Sequence, residues 1–446
     1  MKKLTTIIGA FLLCVCFLFA GCSPTLAMPS GDIKSNGGNS VVIGEYVYFA
    51  NTYVSTSSLT TGDNDEGNVK HNAIYRVKTQ NGLTTKDDNG NVENVEKVFS
   101  KIGGFETSNM YVVGDYLYFT SPNTHKSRVE GEEGKDKFGL TTLFRCKLDG
   151  TGLKEILTTQ TTAGKFYLAN QDGKNILFVF DNNKIQSLEL ANKLGKVSTL
   201  IDKVADVVFP EDNGKTLTRL FYTVSLTEED GTNEGVSGNK LYRYDFATKN
   251  STLVRQIAGE TIGLVAFDTN RLYYTRNENG TTLYYSNSLT GNFEVDEIQH
   301  TYVASVSQFY AFGTSEDGDV LPVVYSYNSK LFIQTSDGNP IVIESTSATI
   351  EFISDEYIYY TTDSGIYRKS YKNPTADAVQ ITDKTNIKAG TADFDGRFVY
   401  FYAYAENNST DTYYMHRANT KTAELGRINT EVLGEVLPDD ITEIEQ

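Results

Sequence analysis

The chain has 446 residues, with 57 acidic against 40 basic side chains and a net charge of −17. Its 39% hydrophobic and 12% aromatic content is ample for a core and excludes disorder along the whole length. So acidic a body repels phosphate backbones and anionic surfaces, which argues against nucleic-acid binding.

Residues 1–21 read as a targeting signal. Lys2 and Lys3 precede an apolar run from Leu4 to Phe19, which is shorter than a membrane span and closes on small residues. The closing Ala20-Gly21-Cys22 resembles the lipobox of bacterial lipoproteins, with Phe19 standing where that family usually has a smaller aliphatic residue. The resemblance implies that the leader is cut before Cys22 and that Cys22 is diacylated. It also implies that the mature body sits on the extracytoplasmic face of a bacterial cell membrane; ordinary secretion is the alternative. Several acyl chains on one cysteine anchor far better than one, so the lipid bilayer is the expected partner of Cys22. Residues 22–39, with Ser, Gly and Pro and little apolar bulk, are then a flexible tether. Losing Lys2 and Lys3 and no acid takes the net charge from −17 to −19.

From residue 40 to 428 one pattern recurs. Eight short runs close on adjacent aromatics, as in Tyr46-Val-Tyr-Phe49, Tyr116-Leu-Tyr-Phe119 and Tyr357-Ile-Tyr-Tyr360, each followed by a second run such as Leu143-Phe-Arg-Cys-Lys-Leu148. Centres about 50 residues apart lie in the range of propeller blades. Short aromatic and β-branched runs bounded by Gly, Asn and Asp are strands and hairpins. The copies are 40–102, 108–159, 164–201, 203–258, 261–299, 302–344, 348–382 and 387–428. Each predicts four strands, and such units bury both faces only by closing radially. The fold class is therefore all-β, a β-propeller of eight four-stranded blades, with seven as the alternative because the third and sixth copies diverge most. Residues 429–446 form an acidic C-terminal tail whose Val432, Leu433 and Val436 favour packing on the ring over free solvation.

The runs Ile74-Tyr-Arg-Val77, Leu143 to Leu153, Leu241-Tyr-Arg-Tyr-Asp245 and Ile366-Tyr-Arg-Lys369 resemble the repeats of Trp-poor bacterial propellers related to the low-density-lipoprotein-receptor YWTD type. The motif is structural and carries over no catalytic residue. The absence of tryptophan speaks against tryptophan-aspartate-repeat and quinoprotein propellers.

Cysteine and histidine are scarce. Only Cys146 remains for the folded body, and strand alternation puts it on one face with Phe144 and Leu148, a buried apolar position rather than a reactive thiol. His300 and His416 read as strand residues satisfied by their neighbours. Acids recur in the first turn of each copy, at Glu45, Asp115, Asp172, Asp212, Asp268, Asp317, Asp355 and Asp395, where tight hairpins favour Asp. The opposite rim carries long second-to-third connections at 52–72, 121–141 and 226–239, the places where binding usually resides. Asp63, Asp65, His71, His125, Glu130 and Glu132 on the first two are the candidate binding residues.

No nucleophile-elbow, zincin or Walker motif is present, and no cofactor or metal is expected. The resulting expectation is a non-catalytic binding module for an extracytoplasmic protein, peptide or glycan. The alternative is an extracellular carbohydrate- or peptide-active enzyme using carboxylates at the propeller mouth.

Overall fold

The computed structural model describes residues 33–433, less 52, 54–72, 89–91, 100–109, 123–139, 162–163, 191–194, 211–215, 228–237, 257–258, 279, 291–292, 294–295, 302, 304, 336–338, 355 and 405–412.

Eight antiparallel sheets follow one another along the chain, each pairing its first to fourth strands in order. They occupy residues 40–99, 111–158, 165–202, 206–256, 260–299, 308–344, 348–382 and 393–432. Blade two shows the pattern: Tyr111–Val113, Tyr116–Pro122, Thr141–Lys147 and Lys154–Thr158. First strands of neighbouring blades lie against one another, whereas a fourth strand such as Asn250–Gln256 is largely exposed. The first strands therefore surround the axis, and the fold is an eight-bladed β-propeller.

The adjacent aromatics have a single physical cause. Successive strand residues point to opposite faces, and each blade is covered on both. Tyr48 packs toward blade two with Val112, Leu117 and Phe119, while its neighbour Phe49 packs toward blade eight with Tyr400, Tyr402 and Met415. Tyr118 and Phe119 divide in the same way between blades three and one. Tyr359 and Tyr360 divide between blades eight and six.

The Tyr-Arg repeats form a second unit. Tyr48 faces Arg76, Tyr118 faces Arg145 and Tyr359 faces Arg368 across the second and third strands. Each guanidinium reaches the facing hydroxyl, at 3.4, 3.5 and 3.4 Å. Each also covers the ring two residues earlier: Arg76 over Tyr46, Arg145 over Tyr116 and Arg368 over Tyr357. Stacking and hydrogen bonding together let a charged side chain enter a sheet core.

Blade one comes wholly from the N-terminal region and blade eight wholly from the C-terminal region, so the ring closes without exchanging a strand. Met415 N donates to Asn51 O at 2.9 Å and Tyr53 N to Tyr413 O at 3.1 Å, and the Tyr402 hydroxyl donates to Ala50 O at 3.0 Å. Thr430–Val432 is the outermost strand of blade eight, and Leu433 after it is buried in the closing core. At the other end Ile33–Lys34, within the stretch expected as tether, is a strand on the inner edge of blade two.

Candidate functional site

The first strands of blades two to five and the residues beside them line an open cavity of about 270 Å³ on the inner side of the ring, with Tyr111, Phe166, Val208, Phe209, Leu264 and Val265 among its walls. Its lining side chains are mostly apolar, yet most of the surface they leave exposed is polar. Tyr167 stacks on Phe209 at 5.2 Å between centroids, which holds blades three and four together behind it. Lys165 also lines the space, with Nζ 3.0 Å from Asp206 Oδ1 and 3.2 Å from Val207 O. Asp206 in turn accepts from Leu264 N at 3.3 Å, so one ion pair ties three blades at the wall.

Beside the cavity an extended segment is already seated. Ile33 pairs with Val113 and Lys34 with Val112, antiparallel to the first strand of blade two, and the adjoining Tyr111 belongs to the cavity lining. In the other seven blades the first strand ends its sheet toward the axis, and such an edge offers main-chain donors and acceptors to an added strand.

Buried polar side chains clasp neighbouring blades around the same axis. Gln308 bonds both Ile350 N and Ile350 O, at 2.8 and 2.9 Å. Glu351 accepts from Thr361 Oγ1 at 2.6 Å and from Gly390 N and Ala392 N at 3.0 Å each, and burial holds its carboxyl above the usual range against those donors. Asp393 does the same for Ser40. Sequence reading missed these groups. Their signal is a carboxylate inside an apolar run, as in Thr349-Ile-Glu-Phe-Ile353, or at the start of a first strand, as at Asp206 and Asp393.

Of the residues singled out from sequence, Cys22, Asp63, Asp65, His71, His125, Glu130 and Glu132 lie outside the described residues, as do Asp212 and Asp355. The remaining first-turn acids share one rim. Asp268 accepts from Asn270 N and Arg271 N, at 2.6 Å each, and Asp395 from Arg397 N and Phe398 N. Those two shape their own hairpins, as short Asp side chains do. His300 is buried with Nε2 2.7 Å from Ser286 Oγ; burial, then the Arg271 charge, pushes its pKa down to about 4. His416 is buried against Phe401 with Nδ1 2.8 Å from Tyr414 O. Cys146 is a buried free thiol in the core between blades one and two. Among the described residues no cluster of three His, Cys, Asp or Glu is placed to hold a metal ion.

No protein-family model matches the sequence, and no curated protein matches it. Solved structures similar to it are mostly propeller-bearing peptidases. A puromycin hydrolase mutant superposes with a TM-score of 0.48 and 12% identity over 74% of this chain and 54% of that one. The acylaminoacyl peptidase of Pyrococcus horikoshii gives 0.41 and 11% over 72% and 51%. The β-propeller domain of the Trilobed protease from Pyrococcus furiosus, described as having an open velcro topology, gives 0.40 and 14% over 79% and 99%. The chain spans about half the length of the first two. What it shares with all three is the propeller.

The expectation of a non-catalytic binding module is corrected by this finding, because the neighbours are mostly peptidases. The physical reason is that blade-forming residues such as Tyr118 and Arg145 serve packing. A propeller sequence without a catalytic motif is thus silent about the chemistry it serves.

Proposed function

We propose that this chain is a peptidase-related propeller whose axial channel takes an extended polypeptide. The observation that carries the reading is the pairing of Ile33–Lys34 with the inner edge of blade two, next to the cavity. A polypeptide in the channel would add main-chain bonds to a first-strand edge and place apolar side chains against Phe166, Val208 and Leu264. Its partner is then an extracytoplasmic peptide or unfolded protein segment.

Two finer readings accompany this one. Cys22 is the diacylated anchor that holds the body on the outer face of the cell membrane, supported by Ala20-Gly21-Cys22 after a short apolar run. The repeat is of the YWTD-like bacterial kind, supported by the Tyr-Arg units of blades one, two and seven.

The test is photo-crosslinking of extended peptides bearing a reactive apolar residue, with the same peptides assayed for cleavage. Crosslinks should fall on Phe166, Val208 and their neighbours and disappear in Leu264→Arg. Peptides that neither crosslink in the channel nor are cleaved would overturn the reading. Membrane release of Cys22→Ala, with loss of an acylated N-terminus by mass spectrometry, checks the anchor.

A further inference from the structure

The N-terminal strand has a direction. The first strand of blade two runs from the rim of the blade-to-blade linkers toward the turn at Gly114 and Asp115. Ile33–Lys34 is antiparallel to it, and Ile33 lies opposite Val113, the residue nearest that turn. The chain therefore enters the channel at the rim of the first turns and climbs toward the opposite rim. There Gly38 O accepts from Met110 N at 2.8 Å, and a side chain at Gly38 would collide with Asp393 Oδ2 at 2.5 Å. Ser40 follows at once as the start of blade one. Second strands end and third strands begin at this same rim, at Ala50 and Ile74 in blade one.

We propose that the protein threads its own channel, so that acylated Cys22 holds the rim of first turns toward the bilayer and turns the rim of long connections outward. The membrane half of this inference rests on the reading of Cys22 as the anchor. Reach decides between the two orientations. Ten residues lie between Cys22 and Ile33, and the eleven steps from one to the other span at most about 40 Å when extended. Leaving the first-turn rim, rounding four strands and climbing the side of a blade needs about 20 Å outward and about 25 Å upward. The tether is too short for that path and long enough for the direct one. The first-turn rim bears Glu45, Asp115, Asp172, Asp268, Asp317 and Asp395, so attraction to anionic lipid does not set the orientation; the covalent tether does.

Two measurements test it. The acylated chain is reconstituted in phosphatidylcholine vesicles with a lipid-linked acceptor dye and labelled at Asp172→Cys on the first-turn rim or Ser225→Cys on the other. Cys146 stays buried and unlabelled. Energy transfer should be several-fold stronger from position 172; equal or reversed transfer overturns the orientation. In the soluble Cys22→Ala chain, oxidation of Ile33→Cys/Val113→Cys or Lys34→Cys/Val112→Cys should close a disulfide in at least one pair, with thermal unfolding confirming the native fold. Failure of both overturns the threading. A chain that leaves the vesicles and carries no acyl group overturns the anchor alone, which the disulfide result distinguishes.

Discussion

The Asp393 carboxylate accepts both from Ser40 N at 3.0 Å and from Ser40 Oγ at 2.7 Å, across a separation of 353 residues. This contact joins the first strands of blades eight and one, and with the bonds of Asn51 and Tyr53 it substitutes for an exchanged strand. Burial pushes the Asp393 pKa up to about 8, against the lowering effect of its Ser40 donors. A folded pKa above the unfolded one favours folding with the proton bound. That contribution is complete below about pH 4 and lost as pH rises through about 8, with a slope of at most about 1.4 kcal/mol per pH unit. Thermal midpoints of the native chain should fall between pH 6 and 9 relative to Asp393→Asn, which lacks the titration. Parallel midpoints across that range would refute the assignment.

Arg417 and Glu431 form a buried pair at 2.8 Å, with side chains 1% and 6% exposed, and Arg417 also covers the Phe398 ring at 4.2 Å. Removing Arg417 leaves the buried Glu431 carboxylate with the longer Lys86 contact at 3.6 Å. Arg417→Met should cost about 3–5 kcal/mol in denaturant unfolding. Adding Glu431→Gln should recover more than half of that loss, and additive losses would show the pair to be uncoupled.

Gly150 sits at φ +84°, where an added Cβ would lie 1.9 Å from Val98 O. Gly152, two residues on, has φ +68° and open space around it. Gly150→Ala should therefore cost at least about 2 kcal/mol, and Gly152→Ala only about 1 kcal/mol for its backbone conformation. Equal losses in the two variants would contradict the packing at the blade one–blade two boundary.

Cys146 is 0% exposed, and burial, then the Asp149 charge, pushes its thiol pKa up to about 12. In a Cys22→Ala chain without Cys14 and Cys16, thiol reagent at pH 8 should leave it unmodified until denaturant unfolds the ring. Rapid labelling of the native protein would refute the buried placement.

The blade boundaries were legible because strand alternation, aromatic pairs and Asp-Gly turns are local signals. In blade two the runs Tyr116-Leu-Tyr-Phe119 and Leu143 to Leu148 fall on the observed strands Tyr116–Pro122 and Thr141–Lys147, overrunning by one residue at most. Tyr48 and Phe49 announced by adjacency alone that both faces of a blade are covered. The inner clasps were not legible, since Glu351 and Asp393 acquire their partners only when distant copies meet. The chemistry was not legible either, since the repeated residues such as Tyr118 and Arg145 serve packing.

By itself the sequence determined the repeat and the strand pattern and favoured eight blades over seven, because each copy folds by contacts within about 50 residues. Only the tertiary structure decided how the ring closes, which strand edges face the axis and where Ile33–Lys34 runs. Those depend on pairings such as Asp393 with Ser40, between residues that no local pattern connects and that closure of the whole ring brings together.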